Sequence, residues 1–320
     1  MNVLERLSEA MAELLRDDLR RVLLGEDVRE GGMLGLSRAT MQDPALGLRV
    51  LSTPLTPAAS LAHATGLALA GRRPIVLLAS ATALLEGYAA LRELGRISST
   101  AGGERSAPVL IVAPTGPGFG LGGDGADSPE AALTAVPGLR VVVLSDALEA
   151  VAMLRSAASF DDEETPTVLL LPRALVLREL MADDFKPALG RPLGASRVVR
   201  EGAAATVFAI GAAVDQAFAA VEATGLEVTI VEVSGLAPLD EPGILAAATG
   251  GKLVVTHPGG RAHGPGAELA ALLADRAILH LDAPVLRVTG AAGPFTGRDE
   301  FAGLPDVEAI AAAITRVATY

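Results

Sequence analysis

Apolar residues recur at helical spacing from the start of the chain. Leu4, Leu7, Met11 and Leu14 fall three and four positions apart with Glu and Arg between them, which predicts a helix with one buried face. Val22-Leu23-Leu24 is a short unbroken apolar run that ends in Gly25-Glu26-Asp27, the pattern of a buried strand and its turn. Strands and helices then alternate. The predicted strands are Arg73 to Leu78, Val109 to Ala113, Val141 to Leu144 and Thr167 to Leu171. The predicted helices are Ala58 to Ala70, Ala83 to Leu94, Pro129 to Thr134 and Ala147 to Ser156. Short all-apolar strands between helices predict a parallel sheet covered on both faces. Ser128-Pro129-Glu130 marks one helix start with a capping hydroxyl, a proline and an early acid. Asp161-Asp162-Glu163-Glu164 reads as a solvated loop before a strand.

The period is lost between Glu179 and Pro192, where Met181 to Pro187 shows neither helical nor strand spacing and Gly190 and Pro192 follow. That break is the expected boundary between a first domain over 1–185 and a second over 191–320. The second half restarts with strands at Thr206 to Ile210, Glu227 to Glu232, Lys252 to Thr256 and Val285 to Thr289. Its helices are Val214 to Ala223, Ile244 to Ala248, Gly266 to Asp275 and Val307 to Ala318. The fold class is therefore α/β, with two parallel-sheet α/β domains.

Composition narrows the partners. With 320 residues and half of them apolar, the chain can bury two cores. A net charge of −12 argues against nucleic acid and anionic membrane as partners. Seven Phe, two Tyr and no Trp leave few platforms for stacking bases. The absence of cysteine removes disulfides, thiolate metal sites and thiol nucleophiles. Glu5, Glu9, Glu13 and Asp17 break the N-terminus, so it does not read as a signal peptide. Pro74 to Leu85 and Pro108 to Pro114 are too short for a membrane span. The expectation is a soluble, cytoplasmic protein.

Candidate chemistry is sparse. His63 reads as a core or interface residue of an Ala/Leu helix, and His280 sits beside a strand start. His257 and His263 flank Pro258-Gly259-Gly260, which fits either an anion-facing loop or a plain strand-to-helix turn. No two histidines have helical ligand spacing, so a histidine zinc site is not expected. Gly116-Pro117-Gly118-Phe119-Gly120 follows a strand but lacks the helix that would receive a diphosphate, so it reads as a loop. Gly123-Asp124-Gly125 would suggest a Mg²⁺–diphosphate site of the thiamine kind if an asparagine followed. The one asparagine is Asn2. If thiamine diphosphate is involved, another chain must hold its diphosphate.

Several strings taken in order resemble the β subunit of the thiamine diphosphate-dependent, decarboxylating component of 2-oxo acid dehydrogenases, as in the pyruvate, branched-chain and acetoin enzymes. Val22-Leu23-Leu24-Gly25-Glu26-Asp27-Val28 with Gly31-Gly32 is similar to the family's first strand and loop. Thr53-Pro54-Leu55, Ser128-Pro129-Glu130-Ala131 and Pro137 to Val143 follow its middle. Pro192-Leu193-Gly194, Leu236 to Asp240, Gly266-Ala267-Glu268-Leu269 and Asp282 to Gly290 follow its second half. The resemblance implies a transketolase-like pyrimidine-binding domain and a transketolase C-terminal-like domain. It also implies an α2β2 assembly in which a partner α chain holds the diphosphate and Mg²⁺ and the β chain meets the aminopyrimidine.

The departures from the family pattern fall on its cofactor positions, so the resemblance places Glu26, Leu55, Pro57, Ala83 and Glu86 around the pyrimidine. The family glutamate that protonates the ring falls at Pro57, its aromatic wall at Ala83 and its histidine at Gly125. No glutamate lies between Glu30 and Glu86, so no small shift of register restores one. A positioned general acid is worth about 10²–10⁴ in rate. The expectation is therefore a β-type chain with a degenerate pyrimidine site, structural or regulatory, that pairs with an α-type subunit or with itself. The alternative is an active thiamine diphosphate-dependent β subunit that uses Glu26 or Glu86.

Overall fold

The computed structural model describes residues 2–100, 107–160 and 164–320, in two compact units. Of the acidic run at 161–164, only Glu164 lies within the described residues. The first unit comprises Met1–Thr115, Ala132–Leu171 and Leu175–Leu193; the second comprises Gly116–Ala131, Pro172–Ala174 and Gly194–Tyr320.

The chain begins with α1 (Val3–Asp17), which the lone asparagine caps. The Asn2 side chain accepts from the Glu5 amide at 2.8 Å, and the Glu5 carboxylate accepts from the Asn2 amide at 3.0 Å. This reciprocal pair satisfies two orphan donors of the first turn. The predicted face, with Leu4, Leu7, Met11 and Leu14, is buried. The elements β1 (Arg21–Glu26), α2 (Arg38–Met41), β2 (Val50–Thr53), α3 (Pro57–Leu69) and β3 (Arg73–Leu77) follow. Next come α4 (Ala83–Glu86), α5 (Tyr88–Thr100), β4 (Leu110–Thr115), α6 (Glu130–Thr134), β5 (Arg140–Val143), α7 (Ala150–Ser159), β6 (Thr167–Pro172) and α8 (Arg173–Val176). The strands of the first unit lie in the order β5-β6-β4-β3-β1-β2. The β1–β2, β1–β3, β3–β4 and β5–β6 pairs are parallel. β1, β4 and β6 are buried along their whole length, as strands covered on both faces must be.

The second unit carries β7 (Arg197–Arg200), β8 (Ala205–Ile210), α9 (Ala213–Thr224), β9 (Val228–Val233), β10 (Gly235–Ala237) and α10 (Glu241–Ala247). It continues through β11 (Leu253–His257), α11 (Pro265–Arg276), β12 (Leu286–Thr289) and α12 (Val307–Ala318). Its five-stranded sheet runs β12-β11-β8-β9-β7. Val207, Ala209, Val221, Ile230, Val254, Ile310 and Ile314 share its core.

The structure differs from the sequence reading in three places. The helix expected from Ala83 to Leu94 is broken at Gly87 into α4 and α5. A Cβ on Gly87 would stand 2.9 Å from Leu61 Cδ1 and 3.3 Å from Pro57 C and Ala58 N, so the break lets the chain press against the start of α3. The short strands β2 and β7 have mixed burial and gave no apolar run to read. The second sheet is not wholly parallel, because its edge strand β7 pairs antiparallel with β9, a common finish for an otherwise parallel sheet.

Gly25 fixes the spacing of β1 and β3 where they end. Its φ is +148°, and a Cβ there would lie 2.0 Å from the carbonyl oxygen of Leu77, its partner in the parallel register. Gly25→Ala is expected to destabilise the chain by roughly 2–4 kcal/mol through backbone strain and displacement of β3. Urea unfolding monitored by far-UV circular dichroism reads this directly, and a change within about 0.5 kcal/mol would show that the close approach is dispensable.

Candidate active site

The carboxyl ends of β1, β2 and β3 meet on one side of the first sheet, the side on which parallel α/β sheets place their ligands. Glu26 ends β1 and pairs in register with Thr53 at the end of β2. Its side chain is 5% exposed, and its Oε2 accepts from the Ala79 amide at 3.2 Å. Burial is the main force that raises the Glu26 pKa. The Ala79 N–H works against it, and the charges of Asp27 and Glu86 push the same way as burial. A carboxyl with one backbone donor in a dry setting is held toward its neutral form.

Local chemistry shapes the opposite wall. After β2 the chain turns through Pro54, whose carbonyl accepts from the Thr56 amide at 2.7 Å. The hydroxyls of Thr53 and Ser60 are 2.7 Å apart, tying the strand end to the first turn of α3. Pro57 is buried at the head of that helix, where a missing N–H and a fixed φ are tolerated. Leu55, at the tip of the turn, is 73% exposed. Beyond β3, the Ser80 and Thr82 hydroxyls lie 2.7 Å apart, the Ala81 amide donates to the Pro114 carbonyl at 2.8 Å, and Ala83 opens α4. Glu86, exposed at the end of α4, precedes the Gly87 contact with α3.

Of the residues expected at the pyrimidine, Glu26, Pro57, Ala83 and Glu86 flank these strand ends, and Leu55 stands at their rim. Gly125 belongs to the second unit and lies in a short 3₁₀ turn, Gly123–Ala126. Sequence reading missed the Thr53–Ser60 hydroxyl pair and the Ala79 amide, for which a loop of small residues gives no signal. It also missed Gly25 as a constraint, although a glycine immediately before a buried acid was visible.

The histidines fall elsewhere. Of the two readings of His63, core or interface, its exposure on α3 excludes the core, because Leu61 and Ala64 take the inward positions. His257 is buried in β11 with Nδ1 2.7 Å from the Pro258 carbonyl oxygen, and burial lowers its pKa. His263 and His280 are exposed. Among the described residues no three His, Cys, Asp or Glu converge to hold a metal, and no helix is long and apolar enough to cross a membrane.

These residues fit an aminopyrimidine only in part. Glu26 offers a buried carboxyl at the strand ends, but the head of α3 offers a proline ring and α4 the methyl group of Ala83, neither of which brings a proton or an aromatic face.

Residues 1–178 match the transketolase pyrimidine-binding domain, and residues 194–310 match the transketolase C-terminal domain. The 2-oxoisovalerate dehydrogenase subunit beta of Pseudomonas aeruginosa is 31% identical, over 99% of this chain and 95% of its own. The pyruvate dehydrogenase E1 component subunit beta of Leifsonia xyli subsp. xyli is also 31% identical, with the same coverage. That of Acholeplasma laidlawii is 30% identical over 99% of this chain and 98% of its own. Among solved structures, a split-gene transketolase described as an inactive beta4 tetramer superposes with a TM-score of 0.76 at 22% identity, over 100% of this chain and 98% of its own. The transketolase of Leishmania mexicana gives 0.69 at 18%, over 98% of this chain and 45% of its own.

The raised Glu26 pKa has a stability consequence. Glu26 contributes most below the ordinary carboxyl pKa, and that contribution is lost as pH rises through the raised value. Glu26→Gln, which keeps an acceptor for the Ala79 amide, is expected to raise the melting temperature at neutral pH. The gain should vanish as pH falls below the usual carboxyl range. Thermal melts of both proteins across pH test this; a gain that persists in acid would mean that burial does not disfavour the charge.

Proposed function

The chain belongs to the β subunits of the 2-oxo acid dehydrogenase E1 component, the family of the pyruvate and 2-oxoisovalerate enzymes, and from that premise we propose that it is a β-type subunit whose pyrimidine side no longer carries the family's acid. The observation that supports this reading is Pro57, buried at the first helical position of α3, where the family resemblance sets the ring-protonating glutamate. A proline side chain has no proton to give and no lone pair to accept one. Ala83 in place of an aromatic wall and Gly125 in place of a histidine point the same way. The role left is structural or regulatory within a cytoplasmic assembly.

The partner in this reading is an α-type chain in an α2β2 arrangement, or a second copy of this chain. Thiamine diphosphate, where it binds, has its diphosphate and Mg²⁺ held mainly by the α chain, because Asn2 is the only asparagine here and it caps α1. Glu26, Leu55, Pro57, Ala83 and Glu86 are the residues of this chain that face the pyrimidine in that assembly. When bound, thiamine diphosphate supplies the carbanion that attacks a 2-oxo acid.

One observation favours a second reading, an active subunit with a reshaped pocket. Glu26 is buried with its pKa raised, and the Glu86 charge contributes to the shift. A carboxyl held toward its neutral form is what proton donation needs.

The two readings separate in one experiment. The chain is purified with an α-type subunit that has an intact Gly-Asp-Gly and asparagine, and is titrated calorimetrically with thiamine diphosphate and Mg²⁺. 2-Oxo acid decarboxylation is followed with an artificial electron acceptor. The first reading expects weak or absent cofactor heat and no decarboxylation dependent on this chain. Turnover that Glu26→Gln or Glu86→Gln reduces by about 10²-fold or more would establish the second instead.

A further inference from the structure

The glycine-rich segment after β4 has no helix to receive a diphosphate, yet its backbone is built around an anion. The amides of Gly118 and Gly120 donate to Oε1 of Glu300 at 2.8 and 2.9 Å, and the amide of Gly122 donates to Oε2 at 3.2 Å. All these residues lie in the second unit. Glu300 opens a 3₁₀ turn, Glu300–Gly303, and is 1% exposed. Three N–H groups from alternate residues therefore converge on one buried carboxylate.

The loop's conformation is the one that aims amides inward. Gly116, Gly118, Phe119, Gly120, Gly122 and Gly123 all have positive φ. Successive residues of this kind form a concave nest of N–H groups suited to an anion. Phe119 adopts φ +73° although it has a Cβ, a strain that persists only where surrounding contacts fix the backbone.

Two further sets of contacts fix it. Arg173, buried and aligned with the loop, donates to the carbonyls of Gly116 at 3.0 Å and Gly125 at 2.5 Å. The segment Phe295 to Gly297 packs on the loop backbone to backbone. The Gly123 amide donates to the Phe295 carbonyl. A Cβ on Gly122 would lie 2.6 Å from the Gly297 nitrogen, and one on Gly297 would lie 2.3 Å from the Gly120 oxygen. Burial works to raise the Glu300 pKa, but the three amides and the Arg173 charge outweigh it and hold the carboxyl below its ordinary value. The group is ionised, as an anion in a nest of donors should be.

We propose that the Gly116–Gly122 loop is an anion-binding nest whose ligand is the chain's own Glu300 carboxylate, and that it accepts a small free carboxylate once that side chain is removed. Glu300 is then a positioning residue for the segment that leads to Gly125 and α6. The inference does not rest on the pyrimidine reading, since its donors are the amides of Gly118, Gly120 and Gly122 and its acceptor is Glu300.

Chemical rescue tests it. In Glu300→Ala, hydrogen exchange at the amides of Gly118, Gly120 and Gly122 should accelerate by roughly tenfold or more, with a lower melting temperature. Acetate should restore both, whereas sodium chloride at matched ionic strength should restore neither. The unmodified chain should respond alike to the two salts. Unchanged exchange at all three amides in Glu300→Ala, or rescue by chloride equal to that by acetate, would overturn the proposal. If that variant does not fold, Glu300→Gln serves. It fills the nest but supplies one acceptor oxygen, so exchange must rise at one or more of the three amides and acetate must do nothing. Exchange unchanged at all three would then refute the inference.

Discussion

Two backbones lie so close at the end of β1 that no side chain fits between them, and the arrangement of the first unit's strand ends follows from that contact. Gly25 sits against the Leu77 carbonyl, and the parallel register of β1 with β3 passes through this pair. Parallel strands need crossovers that cover both faces, so the elements after each strand return the chain to the same edge. The close approach at Gly25 brings β3 near enough for the Ala79 amide to reach Glu26. The register with β2 sets Thr53 opposite Glu26, and the Thr53–Ser60 hydroxyl pair carries that placement into α3. A side chain at Gly25 would push β3 away and leave Glu26 buried without its donor.

Much of this architecture was legible in the order of apolar runs and breaks. The α1 stripe at Leu4, Leu7, Met11 and Leu14 and the wholly apolar cores of β4, β5 and β6 announce themselves by period and length, because burial on one face or on two leaves a direct mark on residue type. The strands β2 and β7 left none, since half-exposed strands of four residues tolerate almost any composition. The helix break at Gly87 was hidden because its cause is the proximity of α3, a tertiary contact. The strand-end carboxyl could be picked out as Gly25-Glu26-Asp27, but its state could not. Whether a glutamate is neutral or charged depends on how many N–H groups reach it, and those belong to residues such as Ala79 that carry no chemical label. The partnership of Glu300 with the loop at 118–122 was equally invisible, because backbone amides separated from it by about 180 residues supply every donor.

The aromatic shortage finds a physical counterpart in this reliance on backbone. With seven Phe, two Tyr and no Trp, the chain fills its cores largely with Val, Leu, Ile and Ala. At several junctions it closes gaps by bringing main chains together, as at Gly25 with Leu77, Gly95 with Pro137 and Gly122 with Gly297. Glycine costs more chain entropy on folding than any other residue, so such contacts persist where a side chain would hold the elements too far apart. At α4 the same economy of size leaves the small side chain of Ala83 at the helix start beyond β3.

Glu26 and Glu300 show how that backbone scaffold decides chemistry. Both are glutamates, both are nearly inaccessible at 5% and 1% exposure, and burial alone would drive both toward the neutral acid. Their pKa values nevertheless move in opposite directions. Glu26 receives one amide and feels two like charges, Asp27 and Glu86, so desolvation prevails. Glu300 receives three amides and faces Arg173, so ionisation prevails. The ionised group is tied down by every oxygen and is suited to holding a loop in place. The group held toward neutrality sits at the carboxyl ends of a parallel sheet with most of its hydrogen-bonding capacity unspent. Desolvating a carboxyl costs stability without such compensation. The proline ring buried at the head of α3 brings no hydrogen-bonding group to offset that cost, so the protonation state of Glu26 is set by the single amide and the two like charges around it.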